Sequence, residues 1–451
     1  MQQISRPISA THMGINLVGV FSVLCVVVMA RWGYLSISQP LFYTLLPLTF
    51  FFCVAALDPF TTRANRRKSI FRGNSLFRMT VLFRMKARFI PKRQIDRALS
   101  KHLTKRNRPI HTKRILYKVY GLWMTLLSIL ACYALFPEYE NDFYNIYFKQ
   151  LSFLAPFITS LSVLYIGLID RSLKAPYDAL WHAGLFFSGH WSKIDVAILK
   201  QYMLGWLVKA FFLPLMFVYM TQNVDILLHT PTTDIISSIP KFVHYFSNLI
   251  YFIDVVIIVV GYSLTLKYLD TDIRSTDSTL FGWLITLVCY QPFWGLFGQQ
   301  YLNYHDGYDW AYWLEESPLI YLWAAIIIAL LLVYVSSAIA FGLRFSNLTH
   351  RGIITGGPFR WFKHPAYLAK NLSWWFISMP FLAHSDVSTA IKHSLLLCGV
   401  NLIYFYRAKT EENHLSADPV YRQYCAYIDQ YGLIAKIRSA LIDPKIFCRT
   451  R

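Results

Sequence analysis

The sequence predicts an all-α polytopic transmembrane bundle of about ten spans, with both termini on the cytoplasmic side. Three observations carry that expectation. Of 451 residues, 55% are hydrophobic, 17% aromatic and only 15% charged, which leaves too little polar surface to cover a water-soluble globule of this size. Apolar runs near the roughly twenty residues a helix needs to cross a bilayer recur along the whole chain. The charge is also lopsided: residues 58–118 hold nineteen Lys or Arg against two acids, a net +17 of the chain's +20.

Taken in order, the first run (14–31) follows a polar stretch from Met1 to His12 and lacks a small-residue cleavage site. It reads as a first span and not as a removed signal peptide. The second run (40–57) leads into the basic segment, which the positive-inside rule assigns to the cytoplasm. Its Leu76, Phe77, Val81, Leu82, Phe83 and Phe89 alternate with Arg78, Arg84, Lys86 and Arg88, the pattern of an amphipathic helix lying in the headgroup layer. A membrane tether with contacts to anionic lipid accounts for this charge, and no nucleic acid is required. Further runs fall at 118–136, 151–169, 202–220, 245–265, 279–299 and 318–341, with shorter ones at 367–384 and 391–406. Loops 137–150, 221–245 and 300–317 are acidic or nearly neutral, whereas 341–370 and 407–451 are basic, so one alternating path satisfies every loop. Asp254 lies near the middle of the sixth run, where an ionised carboxylate is costly unless it faces protein or water. Lys209 is close enough to the boundary to snorkel, and the aromatic-rich 300–317 loop suits an interfacial belt. The seven cysteines show no CxxC pair and no Cys/His spacing suited to zinc, so no disulfide framework and no metal is expected.

The chemistry-bearing residues gather at the C-terminal end. Gly352, Gly356, Gly357 and Pro358 forbid a continuous helix and shape a loop between two spans. His364-Pro365 then opens a helix with proline where its missing N–H costs nothing. The free N–H groups and positive end of that helix offer a place for an anion such as a carboxylate. Arg407 and Glu411, four apart, share a helix face where the last short span leaves the membrane. A bent loop, a helix N-terminus and an Arg/Glu face at one boundary suit a charged cytosolic cofactor meeting a lipid-borne group.

Gly357-Pro358-Phe359, then Lys363-His364-Pro365-Ala366-Tyr367, then Arg407 with Glu411-Glu412-Asn413-His414-Leu415, and finally Tyr421 and Tyr424 together resemble the isoprenylcysteine carboxyl methyltransferase family over about residues 340–430. The resemblance implies S-adenosylmethionine as cofactor. It assigns Arg351, Gly352, Ile353, Ile354, Phe359, His364, Pro365, Ala366, Tyr367 and Glu411 to cofactor binding and Arg407 to the substrate's carboxylate. Lys363 stands where the family usually has Arg, Phe359 where Tyr is common, and the spans before the match exceed the family's usual size. His414 is expected on a solvated helix face.

The chain accordingly divides into an N-terminal transmembrane region (1–317, about seven spans, with the basic cytoplasmic loop 58–118) and a methyltransferase-like region (318–451, about three spans plus a cytoplasmic C-terminal segment). The expected function is methyl transfer to an anionic or carboxyl-bearing lipid or lipidated substrate at the cytoplasmic membrane face. The alternatives are an NADPH-dependent reductase similar to the sterol reductases, whose motif has Asn where this chain has Ala366, and a non-enzymatic transporter or scaffold. The alternating path predicts that reporters fused after Lys101 or at the C-terminus read cytoplasm and one after Asp306 reads the far side. A cytoplasmic signal at Asp306 would sink that path.

Overall fold

The computed structural model describes residues 4–61, 110–171, 173 and 175–442. The amphipathic stretch expected around residues 76–89 lies outside them. Thirteen principal helices are α1 (Met13–Arg31), α2 (Gln39–Thr61), α3 (Thr112–Leu135), α4 (Asp142–Asp170), α5 (Ala179–Phe187), α6 (Val196–His229), α7 (Ile239–Ser263), α8 (Leu280–Leu287), α9 (Leu319–Phe341), α10 (Pro365–Ser378), α11 (Val387–Leu415), α12 (Pro419–Tyr431) and α13 (Leu433–Ile442). Local sequence sets the starts of several. Asp195 caps α6 by accepting from the N–H groups of Ala197 and Ile198, Asp386 caps α11 through Thr389, and Asp418 caps α12 through Val420 with Pro419 following. Such caps satisfy amide groups that otherwise lack a partner.

Among the described residues, eight helices are long and apolar enough to cross a membrane: α1 to α4, α6, α7, α9 and α11. The chain is thus an all-α membrane protein. The expected spans at 279–299 and 367–384 take a different form. The first is broken into α8, turns, and a π-helical segment at Trp294–Gly298, because Pro292 has no N–H to continue a helical ladder. The second is α10, whose 14 residues extend only about 21 Å at 1.5 Å per residue.

α7 forms the centre of the bundle. Its apolar window is 61% buried against 11% for α4, so α7 meets protein all round while α4 turns Phe157, Leu161, Leu164 and Leu168 outward. Packed on α7 are α6 through Phe212, Leu215, Met220 and Val224 and α9 through Ile327 and Leu331, all buried in one hydrophobic cluster. A two-residue antiparallel ladder joins β1 (Ser275–Thr276), after α7, to β2 (Thr349–His350), after α9. The C-termini of α7 and α9 therefore lie at the same end of the bundle, called here the loop end. α9 has 23 residues, about 34 Å of helix, so its start is at the opposite end and residues 280–318 carry the chain there. At that far end Trp323 of α9 donates to the Phe376 carbonyl of α10, 2.7 Å away.

Two cations of the basic segment are structural. Arg114 and Lys118 of α3 meet Asp170 of α4 at 2.7 and 2.9 Å, Lys118 lies 3.2 Å from Asp178, and Lys267 closes on Asp178 at 2.9 Å. Lys118 is fully buried and cannot reach a lipid headgroup. Below it α3 and α5 touch through backbone: a Cβ on Gly121 would stand 2.5 Å from the Gly184 nitrogen and 2.7 Å from the Leu180 carbonyl oxygen. Removing one partner of a buried ion pair costs about 3–5 kcal/mol because the other charge is left uncompensated. Asp170→Leu should therefore lower the melting temperature of the detergent-purified protein, and adding Lys118→Met should recover part of the loss. Equal losses in the single and double variants would mean that these ions are not coupled.

Candidate functional site

The loop between α9 and α10 is held by buried arginines. Arg351 donates from Nε to the Thr271 carbonyl (2.8 Å) and from Nη1 to the carbonyls of Gly261 and Phe345 (both 2.8 Å). Arg344 donates to the Arg351 carbonyl at 2.6 Å and meets Asp270 at 3.1 Å. Burial, and then the charge of Arg344, pull the Arg351 guanidinium down to about 9, still above neutral pH. Gly352 has φ 115° and room for no side chain: a Cβ would stand 2.6 Å from an Arg344 nitrogen and 2.9 Å from Ala10 Cβ. The N-terminal segment runs along this loop, with Ala10 N–H donating to the Ile353 carbonyl (2.9 Å) and Thr355 Oγ1 to the Pro7 carbonyl (2.7 Å).

Beside the loop lies a cavity of about 440 Å³, lined by residues of the 345–349 strip, α6, α7, the 277–294 segment, α9, α10 and α11. That volume falls within the ~300–1,000 Å³ typical of small-molecule sites. Of the residues expected to form a site, Phe359, His364, Ala366, Tyr367, Arg407 and Glu411 line it. Arg351, Gly352, Ile353, Ile354 and Pro365 do not. The Arg351 side chain is consumed by backbone carbonyls, Gly352 packs under Arg344 and Ala10, and Ile353 and Ile354 pack in a separate cluster with Tyr421, Tyr424 and Ile428. Pro365 is buried at the start of α10. The stretch of this loop that faces the cavity is Phe345–Thr349 instead.

Near the loop end of the cavity, the His364 and Tyr367 rings stack with centroids 5.6 Å apart and an interplanar angle of 2°. Tyr367 Oη donates to Glu411 Oε1. His364 Nδ1 lies 3.6 Å from Glu411 Oε2, and its Nε2 lies 3.3 Å from Glu412 Oε1. Arg407 is only 3% exposed. It donates to Asn347 Oδ1 (2.7 Å) and Tyr290 Oη (3.2 Å), and its guanidinium carbon sits 5.3, 5.0 and 5.7 Å from the rings of Tyr290, Tyr367 and Tyr404. Its Nε is 3.8 Å from Glu411 Oε1 and makes no hydrogen bond among the described residues. Lys363 is drawn to Asp429 at 2.8 Å. Burial lowers and the Asp429 carboxylate raises its ammonium, with a net shift upward.

His414 departs from its expected solvated face. It is half-buried, lines the cavity, and has Nε2 3.2 Å from Ser275 Oγ. The sequence also gave no sign of Tyr290, Asn347 or Asp277, which come from irregular segments and were reachable only through the fold. Asp277 is buried against the Thr279 N–H and hydroxyl, each at 2.8 Å.

The span from α9 through the end of α11 carries this geometry. Residues 319–417 match the isoprenylcysteine carboxyl methyltransferase (ICMT) family. The match assigns the chain a membrane methyltransferase domain. No curated protein and no solved structure matches the chain. Within the ICMT segment lie His364, Tyr367, Arg407 and Glu411, whereas Tyr290, Asp277 and the α6 and α7 walls lie outside it.

Arg351 also lies in that segment, and its bonds mark it as part of the framework. Stranding buried carbonyls costs about 1–3 kcal/mol per group, so Arg351→Met should lower the melting temperature of the ligand-free protein. A role confined to ligand contact would leave that temperature unchanged.

Proposed function

We propose that the protein is an S-adenosylmethionine-dependent methyltransferase that methylates an anionic or carboxyl-bearing lipid or lipidated molecule at the cytoplasmic face. The observation that carries this reading is the coincidence of the ICMT match with one cavity that holds His364, Tyr367, Arg407 and Glu411 together. The residues fit such a cofactor. Glu411 brings a carboxylate to the cavity for hydroxyl or amino donors, and Ala366 at the start of α10 brings the positive end of a helix for a carboxylate. When bound, the cofactor supplies an activated methyl group on a sulfonium.

The chain's own task is then to orient the partners and exclude water. A carboxylate acceptor needs no general base, and the role assigned to Arg407 is to hold that carboxylate through its remaining donor capacity. Guanidinium suits this role because it keeps its charge and presents a planar fork. The tyrosines around it shield the charge while leaving Nε without a hydrogen bond. The positive-inside pattern of residues 58–118, 341–370 and 407–451 supports placing the loop end and both termini in the cytoplasm. On this path the broken 280–301 segment and the short α10 act as the two remaining passes of a ten-pass chain, and residues 1–317 form the N-terminal region of a two-part protein.

His364→Ala and Glu411→Ala should each weaken S-adenosylmethionine binding to detergent-purified protein by about ten- to a hundred-fold, the loss of one charged hydrogen bond. Unchanged affinity in both would remove the reading. Arg407→Ala should abolish turnover, and Arg407→Lys should restore it only in part, with cofactor affinity nearly kept in both. A parallel fall of affinity and turnover assigns Arg407 to the cofactor instead.

A further inference from the structure

The deep half of the cavity is walled by residues outside the ICMT segment: Tyr219 and Asn223 of α6, Tyr251 and Asp254 of α7, and Gln291 and Trp294. Asp254 is the group there that calls for a ligand. It is 6% exposed and nine residues from the end of α7, about 14 Å along the helix from the loop end. Its Oδ2 accepts from Tyr334 Oη, while Oδ1 is buried with no hydrogen-bond partner among the described residues. A buried polar atom left without a partner is costly, and an ionisable group at membrane depth marks a site by default.

Lys370 of α10 faces the same cavity. Its ammonium lies 5.7, 5.4 and 5.9 Å from the ring centroids of Tyr334, Trp374 and Tyr404. It makes no hydrogen bond or ion pair among the described residues, and so does not neutralise Asp254 by direct contact. Arg407 stands over the other side of the same Tyr404 neighbourhood at 5.7 Å. The cavity thus has a carboxylate at one place and two cations at another. Around the carboxylate are the aromatic side chains Tyr219, Tyr251, Trp294 and Tyr334, the surroundings that stabilise an ammonium. Lys370 is a compact point charge suited to a phosphate or carboxylate.

We propose that this deep half is the head-group site of the methyl acceptor, and that the acceptor is a zwitterionic amphiphile whose ammonium meets Asp254 Oδ1 and whose anionic group meets Lys370. The inference rests on the methyltransferase reading and narrows its substrate class. It also gives the N-terminal helices a task, namely selecting the acceptor by its pattern of two charges.

The test uses the full chain in detergent with four short-chain probes: phosphatidylethanolamine (ammonium and phosphate), phosphatidic acid (phosphate alone), phosphatidylglycerol (phosphate and hydroxyl) and an alkylamine (ammonium alone). Binding of each is measured by native mass spectrometry in the wild type, Asp254→Asn and Lys370→Gln, with S-adenosylmethionine affinity and melting temperature recorded beside it. The wild type should prefer phosphatidylethanolamine by about tenfold over the other three, the scale of one charged hydrogen bond. Asp254→Asn should erase that preference by weakening phosphatidylethanolamine and the amine while sparing phosphatidic acid. Lys370→Gln should weaken both phosphate-bearing classes and spare the amine. Probe affinities untouched by Asp254→Asn in a folded protein, or a wild-type preference for phosphatidic acid or phosphatidylglycerol, overturn the proposal. Failure of S-adenosylmethionine to bind the wild type defeats the methyltransferase reading instead, and is seen separately because the probes are scored without it.

Discussion

The buried guanidinium of Arg351 joins the two parts of the chain. By donating to the carbonyls of Gly261, Thr271 and Phe345, it fixes the end of α7, the loop after it and the turn after α9 against one another. Each of those carbonyls lies where a helix or turn has run out of backbone donors, so the arginine supplies hydrogen bonds that no regular element could. Gly261 allows this approach, because a side chain there would collide with the Phe345 carbonyl. With these pieces locked, the β1–β2 ladder forms and the 345–349 strip turns toward the cavity. Asp254 on α7 and Arg407 on α11 then face a common space.

The charges in that space are arranged by distance from the loop end. Glu411 and Glu412 meet His364 near the mouth, Arg407 stands among three tyrosines, and Asp254 with Lys370 lies deeper. A guanidinium can be buried here because tyrosine faces and the oxygens of Asn347 and Tyr290 replace water around it. The same burial strengthens whatever it contacts, since nearby solvent no longer competes. Such an arrangement admits a charged molecule from the loop end and an amphiphile from the bilayer side, the two directions that methyl transfer onto a membrane-borne acceptor requires.

α10 and the 280–301 segment show why hydropathy located the apolar runs but misjudged their shape. Both are apolar enough to sit in the bilayer, yet Pro292 interrupts one and the other stops after 14 residues. Irregular backbone at membrane depth is tolerated where it lines a cavity and its polar groups find partners in protein. That is the situation of Tyr290, which accepts from Arg407 and Asn347. Hydropathy responds to composition over a window and is blind to such exchange of partners.

The sequence by itself determined the membrane solvent, the helical class and the short-range part of the site. His364 with Tyr367 three residues on, and Arg407 with Glu411 four on, share helix faces by geometry alone, and each pair does face the cavity. Tertiary structure decided everything that depended on segments distant in sequence. It moved Arg351, Gly352, Ile353 and Ile354 into the framework, because their side chains found carbonyls and apolar neighbours that no local pattern announces. It brought Asp277, Tyr290 and Asn347 to the site from irregular loops, where periodicity carries no signal. It also placed His414 against Ser275, where an exposed face had been expected, because the ladder pairing residues 275–276 with 349–350 folds one loop over the end of α11. Contacts between residues over a hundred positions apart arise from packing and hydrogen-bond completion, and those are properties of the assembled bundle.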